Sequence, residues 1–227
     1  MNKTMLALAA AALIPSVATA QSVAFSGAEI AYQFLSTDDD YDASGVTASA
    51  EANFLGQASA QLDLYGNEYD PGESYSGYTV HVGYAGLPGG NIGIFYGEEE
   101  WDTDGTWVHM GIEGAYTSGP VTLEASIGNN EQEDFQNYDI FRVDVSYAVT
   151  PEIILVGDFA GVSDDLDANI IGAGARYQMQ NGFFVEGTAQ SASGDVEMQT
   201  LGLEIGFAVN GGTTYGPRDW TRILPAF

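Results

Sequence analysis

Three observations predict an all-β fold, a closed antiparallel transmembrane β-barrel of about twelve strands. After residue 20 the chain alternates apolar and polar residues at period two, and no segment repeats at 3.6. The connections between the apolar runs alternate in kind, short on one side and acidic on the other. Charged residues keep to one parity of the strands.

The alternation is cut by Gly, Asp, Asn and Pro clusters, which are turn signals. It places strands near 23–35, 46–54, 58–65, 77–85, 91–97, 106–116, 121–129, 138–148, 153–160, 168–177, 183–190 and 196–209. Five connections are short: LGQ (55–57), GLPGG (86–90), TSGP (117–120), VTPE (149–152) and QMQNG (178–182), with Glu152 their only acid. The other six are mostly longer and acidic: STDDDYDASG, GNEYDPGES, EEEWDTDG, NNEQEDFQN, SDDLD and SASGD. A soluble sandwich has no reason to sort its loops this way. A membrane barrel does, with short periplasmic turns on one rim and longer external loops on the other. An even strand number leaves both chain ends on the short-turn rim.

A repeat supports this reading. Every second strand ends at the short-turn rim with an aromatic on its apolar parity: Phe54, Tyr84, Tyr116, Tyr147, Tyr177 and Phe207, spaced by 30, 32, 31, 30 and 30 residues. Fixed spacing marks a repeated unit, here one strand–loop–strand–turn module. Aromatics favour strands in general, but that does not put all six on one rim and one face. They form an aromatic girdle, the height at which amphipathic rings meet lipid headgroups. The opposite girdle is patchier, with Tyr32, Phe34, Tyr96 and Phe159.

The apolar parity carries Ile30, Leu62, Val80, Ile94, Ile112, Ile127, Val143 and Leu155, and no charge within the spans. The other parity carries Glu29, Glu51, Asp63, Glu113, Glu124, Asp144, Asp158, Glu186 and Glu204, with Arg142 and Arg176. A cation facing lipid near the midplane costs about 2–4 kcal/mol, an acid less. A dry core could not hold nine acids against two arginines. These eleven residues are therefore expected to line a wet lumen.

Residues 1–20 read as a secretory signal peptide. Lys3 gives the positive start, Met5 to Ile14 the short apolar stretch, and Ala18-Thr19-Ala20 a cleavage site before Gln21. The apolar stretch is too short to span a bilayer as a helix, which takes about 20 residues. The mature chain then has Arg142, Arg176, Arg218 and Arg222 against 32 acids, a formal charge of −28 with both His neutral. Such a balance excludes nucleic acid, whose phosphates need a basic footprint. There is no Cys, so stability must come without disulfides. The expected organisation is a signal peptide (1–20), a barrel (21–209) and a periplasmic-side tail (210–227).

The signal peptide, the opening strand VAFSGAEIAYQF and the alternating hairpins resemble the Gram-negative outer-membrane porin family, especially porins of alphaproteobacteria. Thr200-x-Gly202-x-x-Ile205-x-Phe207 also resembles that family's last-strand assembly signal, which the barrel-assembly machinery reads, and the chain ends in Phe227. The resemblance implies outer-membrane lipid as surroundings, and passive diffusion of small hydrophilic solutes and cations through the lumen. It also implies a homotrimer. The chain departs from the family in three ways. General porins have about 16 strands. The third acidic loop, GEEEWDTDG, lacks the family's constriction-loop sequence. The assembly-signal strand is followed by the tail NGGTTYGPRDWTRILPAF, which Pro217 and Pro225 keep from being a strand.

The remaining candidates are weaker. Asp40-x-Asp42-x-Ser44-Gly45 with Glu51 at the twelfth place nearly spells a calcium loop. The run from Val46 to Phe54 reads as a strand, however, with Glu51 facing the lumen. No metal site and no cofactor is expected beyond weak divalent-cation binding by the acidic loops, Asp102-x-Asp104-Gly105 included. His81 and His109, the only histidines, fall on lumen parity. The twelve-stranded outer-membrane phospholipase family keeps its Ser–His pair on the lipid face, so an enzyme is not expected and no catalytic residue is assigned. Three further expectations follow. Small residues on the early strands (Ala24, Ser26, Ala28; Ala48, Ala50, Ala52; Ala58, Ala60) should form the protomer contact. Arg218 and Arg222 should carry the tail against or into the acidic lumen. An open lumen should favour cations; the alternative is a structural or adhesive barrel with a closed lumen.

Overall fold

The computed structural model describes residues 23–38, 42–54, 56–70, 72–102, 105–132 and 136–219. The expected signal peptide, Asp40, Asp104, Arg222 and Phe227 lie outside these residues. Twelve strands follow in order: β1 (Val23–Thr37), β2 (Asp42–Phe54), β3 (Ala58–Asp70), β4 (Ser74–Leu87), β5 (Gly90–Trp101), β6 (Gly105–Ser118), β7 (Val121–Gln132), β8 (Gln136–Ala148), β9 (Ile153–Asp164), β10 (Ala168–Gln178), β11 (Phe183–Gly194) and β12 (Met198–Val209). Each pairs antiparallel with its chain neighbours, and β1 pairs β12 from Ala28↔Val209 to Thr37↔Thr200. The sheet is thus a closed barrel with no free edge, which satisfies the backbone where no water can.

The outer wall is apolar because one parity faces out all round the closed sheet. Ile94 and Ile112 are each 59% exposed and Leu201 68%, exposure that suits hydrocarbon and not water. Tyr84, Tyr116, Tyr147, Tyr177 and Phe207 stand exposed at the short-turn rim, and Phe54 half-buried among them.

The short-turn ends of the strands match the sequence expectation closely. The external ends do not. β3 runs on to Asp70, β5 to Trp101 and β9 to Asp164, leaving connections of three or four residues on the external rim as well. The acidic stretches are therefore largely paired strand, not long loops. Outward-facing Glu68, Glu98, Glu100, Glu131 and Asp139 mark where the apolar belt ends. Antiparallel pairing continues past the belt because the ladder needs only a partner strand, not lipid.

A second correction concerns β1. The β1–β2 register shifts between Phe25 and Gly27, so Phe25 stands opposite Ala52 and Ala24 opposite Asn53. This bulge turns Val23 and Phe25 outward and takes Ala24 off the lipid face. The small-residue face retains Ala28, Ala48, Ala50, Ala52, Ala58 and Ala60. Ala48 is only 5% exposed, with Ile30 and Leu64 in register on either side of it.

After β12 the chain turns back on itself. Asn210, Gly211 and Gly212 have φ of 55°, 91° and 89°. This left-handed backbone suits Asn and Gly and few other residues. The reversal sends Thr213 to Asp219 into the barrel, where Tyr215 and Asp219 are buried. A Cβ at Gly27 would collide with the Gly212 carbonyl, so the bulge glycine makes room for the returning chain.

Candidate functional site: the lumen

Backbone amides at the start of the tail meet the wall. Thr214 N–H donates to Glu51 Oε2 at 2.7 Å. Tyr215 N–H donates to Gln61 Oε1 at 3.1 Å, and Gln61 Nε2 donates back to the Tyr215 carbonyl at 2.7 Å. Gly216 N–H points at both oxygens of Glu124, 3.1 and 3.2 Å away.

Side chains complete the contact. The Tyr215 ring stacks on His81, centroids 5.6 Å apart and planes within 11°. His81 is held from both sides, Nε2 to Asp63 and Nδ1 to Glu113, each at 2.8 Å. Arg218 Nη2 donates to Glu113 at 2.8 Å and also to Glu124. Its guanidinium lies over Phe95 at 5.4 Å. Burial works against the charge on Arg218, but Glu124 and Glu113 outweigh it and raise its pKa above the ordinary value. Burial and the carboxylates of Glu113 and Glu124 push the Tyr215 phenol well up.

The other side of the lumen is hollow. A cavity of about 460 Å³ lies between the tail and strands β7–β12, β1 and β2. Eight of the eleven charged residues expected inside border it: Glu29, Glu124, Asp144, Asp158, Glu186, Glu204, Arg142 and Arg176. Arg176 donates to Glu186 at 2.7 Å and reaches Glu29 and Glu204 at 3.4 Å each. Arg142 grips Asp144 with Nε and Nη2 at 2.8–3.0 Å. Gln190 donates to Asp158 at 3.1 Å. Glu51, Asp63 and Glu113 also face inward, but they lie in the packed half, where the tail or His81 holds them. An open ring of nine carboxylates is therefore not what this conformation presents.

The external end is filled by rings that the sequence reading did not single out. Trp101 stacks on Tyr75 at 4.5 Å, and Tyr69 on Trp101 at 5.7 Å. These rings form one buried cluster with Tyr65, Tyr138, Val162, Ile170 and Met198. Glu99, 1% exposed, accepts from the Tyr65 hydroxyl at 3.2 Å. With β5 expected to end near residue 97, Glu99 reads as a loop acid. Continuing the parity of Phe95 and Gly97 by two residues would have found it.

His109 bonds Thr79 at 2.8 Å from inside the lumen, and both histidines are at most 4% exposed. Asp42 and Ser44 belong to β2, so the calcium-like spacing lies along a strand and its last acid is bonded to the tail. The described residues hold no cluster of three His, Cys, Asp or Glu suited to a metal ion.

No family model matches the sequence, and no curated protein does. Solved structures do match in shape. The KdgM porin in complex with disordered oligogalacturonate aligns over 79% of this chain and 98% of its own, TM-score 0.65 at 6% identity. A NanC porin covers 78% and 98%, TM-score 0.61 at 8% identity. Outer membrane phospholipase A from Escherichia coli covers 78% and 89%, TM-score 0.58 at 10% identity. At such identities the likeness defines the fold, which is that of the outer-membrane β-barrels. A porin and a phospholipase share it, so function must be argued from the lumen.

Proposed function

We propose that the protein is a porin-like channel of a Gram-negative outer membrane, passing small hydrophilic solutes by diffusion with a preference for cations. In this proposal the described conformation is a low-conductance state, with the tail in the lumen. One observation carries it: an apolar-coated barrel encloses a polar cavity bordered by six acids and two arginines. Carboxylates around a narrow path select cations, and a low-dielectric wall focuses their field. Oligogalacturonate, the sugar in the KdgM complex, carries carboxylates itself, and this lumen would repel such a solute. Export with cleavage before Gln21, insertion by the barrel-assembly machinery and trimer contact along β1–β3 belong to the same proposal. No enzymatic activity is part of it; an acyl hydrolase reading would require turnover that is lost in His81→Ala or His109→Ala.

The test is conductance of refolded protein in a planar bilayer, with and without the tail. The aromatic cluster across the external end favours a second reading, a structural or adhesive barrel with a closed lumen and cation-binding acidic outer ends. That reading predicts no conductance in either form.

A further inference from the structure

The lumen wall builds one arrangement twice. Phe95 on β5 stands directly opposite Gly111 on β6, and Phe184 on β11 stands directly opposite Gly206 on β12. Both rings are buried. A Cβ at Gly111 or Gly128 would lie 2.6 or 2.7 Å from the Phe95 ring, and one at Gly206 would collide with Phe184. Each ring thus lies in a gap left by glycine, and a guanidinium lies over each. Arg176 Cζ is 4.0 Å from the Phe184 centroid, and Arg218 Cζ is 5.4 Å from that of Phe95. Carboxylates close the edges. Arg176 meets Glu29, Glu186 and Glu204. Arg218 meets Glu113 through Nε at 3.2 Å and Nη2 at 2.8 Å, and Glu124 through Nη2. An aromatic face edged by carboxylates suits a planar, forked cation; an ammonium offers neither plane nor fork.

The two slots differ in where their arginine comes from. Arg176 belongs to β10 and cannot leave the wall. Arg218 arrives on the tail, whose residues from Thr213 to Asp219 join no strand. With the tail out, the Phe95 slot keeps its ring and its acids and loses its guanidinium. The wall cations beside it are already engaged. His81 is shared between Glu113 and Asp63, and Arg142 is paired with Asp144. Even with both charged, these two cations face four carboxylates: Asp63, Glu113, Glu124 and Asp144. Such acids beside a low-dielectric wall attract a cation of matching shape.

We propose that the Phe95–Glu113–Glu124 slot is a binding site for guanidinium-bearing solutes of the arginine class. The tail's Arg218 fills it in cis, and a solute that takes its place holds the channel open. A ligand that binds only the tail-out state shifts the equilibrium toward that state. The slot stands on the geometry of the wall; its effect on opening rests on the channel proposal.

Two measurements on full-length protein test this, with N-acetylarginine amide, N-acetyllysine amide and N-acetylcitrulline amide as probes. The first two carry the same charge, and the third copies the first without it. In calorimetric titration of Arg218→Gln in detergent, the arginine probe should bind about tenfold tighter than the lysine probe, the worth of a desolvated cation–π contact. The citrulline probe should give no binding heat. The wild type should bind the arginine probe more weakly than Arg218→Gln does, because a tethered competitor is already in place. Adding Phe95→Leu to Arg218→Gln should bring arginine and lysine level. The second measurement needs no substitution. In a planar bilayer, the wild type's open-to-closed ratio should rise about fivefold when the arginine probe reaches about four times its dissociation constant for Arg218→Gln. The lysine probe at the same concentration should raise it only about 1.4-fold. Equal binding of arginine and lysine probes to Arg218→Gln, or no heat with either, overturns the slot. Should that variant misfold, the same comparison on the wild type at higher probe concentration decides. Conductance without guanidinium binding sinks the slot and leaves the channel. Arginine-selective binding without conductance in any form keeps the slot and removes the channel.

Discussion

The two halves of the lumen carry similar acids and neutralise them differently. On the β2–β7 side, Glu51, Glu113 and Glu124 are met by the tail, through backbone N–H groups and Arg218. On the side of β8–β12 and β1, Glu29, Asp144, Glu186 and Glu204 are met by arginines rooted in the wall. The first arrangement can leave as one piece, and the second cannot. The packed half is thus poised to change with the tail's position, and the hollow half sets a charge that stays.

Removal of the tail should break this contrast most completely. Truncation after Asn210 should raise single-channel conductance several-fold; unchanged conductance would show that the tail does not obstruct the path. Arg218→Gln should come next. Breaking a buried ion pair by removing one partner costs about 3–5 kcal/mol, here charged to the tail-in state. The variant should therefore reproduce much of the truncation's conductance in the bilayer. Glu113→Gln with Glu124→Gln should act in the same direction, because these acids anchor Arg218 as well as lowering the lumen's charge.

The hollow half should respond more weakly. Glu204→Gln should cost about 1 kcal/mol or less in urea unfolding, since the cavity lets solvent reach the pair and two other acids still hold Arg176. Its effect should appear in selectivity instead. Smallest of all, Tyr215→Phe should lie within about 0.5 kcal/mol of the parent. Its ring keeps the stack on His81, and its hydroxyl has no partner among the described residues. A large loss there would mean that the phenol, not the ring, seats the tail.

Much of this was legible in the sequence, and the failures have physical reasons. Period-two alternation and Gly, Pro and Asn punctuation located all twelve strands, because the lipid-facing parity tolerates no charge. That constraint ends where the lipid ends. Past the belt, Glu98, Glu99 and Glu100 lie in a strand that local composition reads as loop. The bulge at Phe25–Gly27 was hidden because one inserted residue flips parity without changing composition. The inward-facing charges were read from parity alone, but their division into two halves depends on contacts far apart in sequence, such as Arg218 with Glu113. The tail's destination was legible in Arg218, a cation beside acidic walls, and Arg218 does meet Glu113 and Glu124; the Asn210-Gly211-Gly212 run that makes the reversal was not singled out.

The central claim is that a permanently acidic lumen selects cations. Its most direct test is the reversal potential of the chain truncated after Asn210, in an about tenfold KCl gradient at low salt, where the Debye length of about 30 Å exceeds a narrow pore's radius. The account predicts a potential of cation-selective sign that fades toward 1 M salt, where screening shortens to about 3 Å, and that moves toward zero in Glu186→Gln with Glu204→Gln. A potential of anion-selective sign would contradict it.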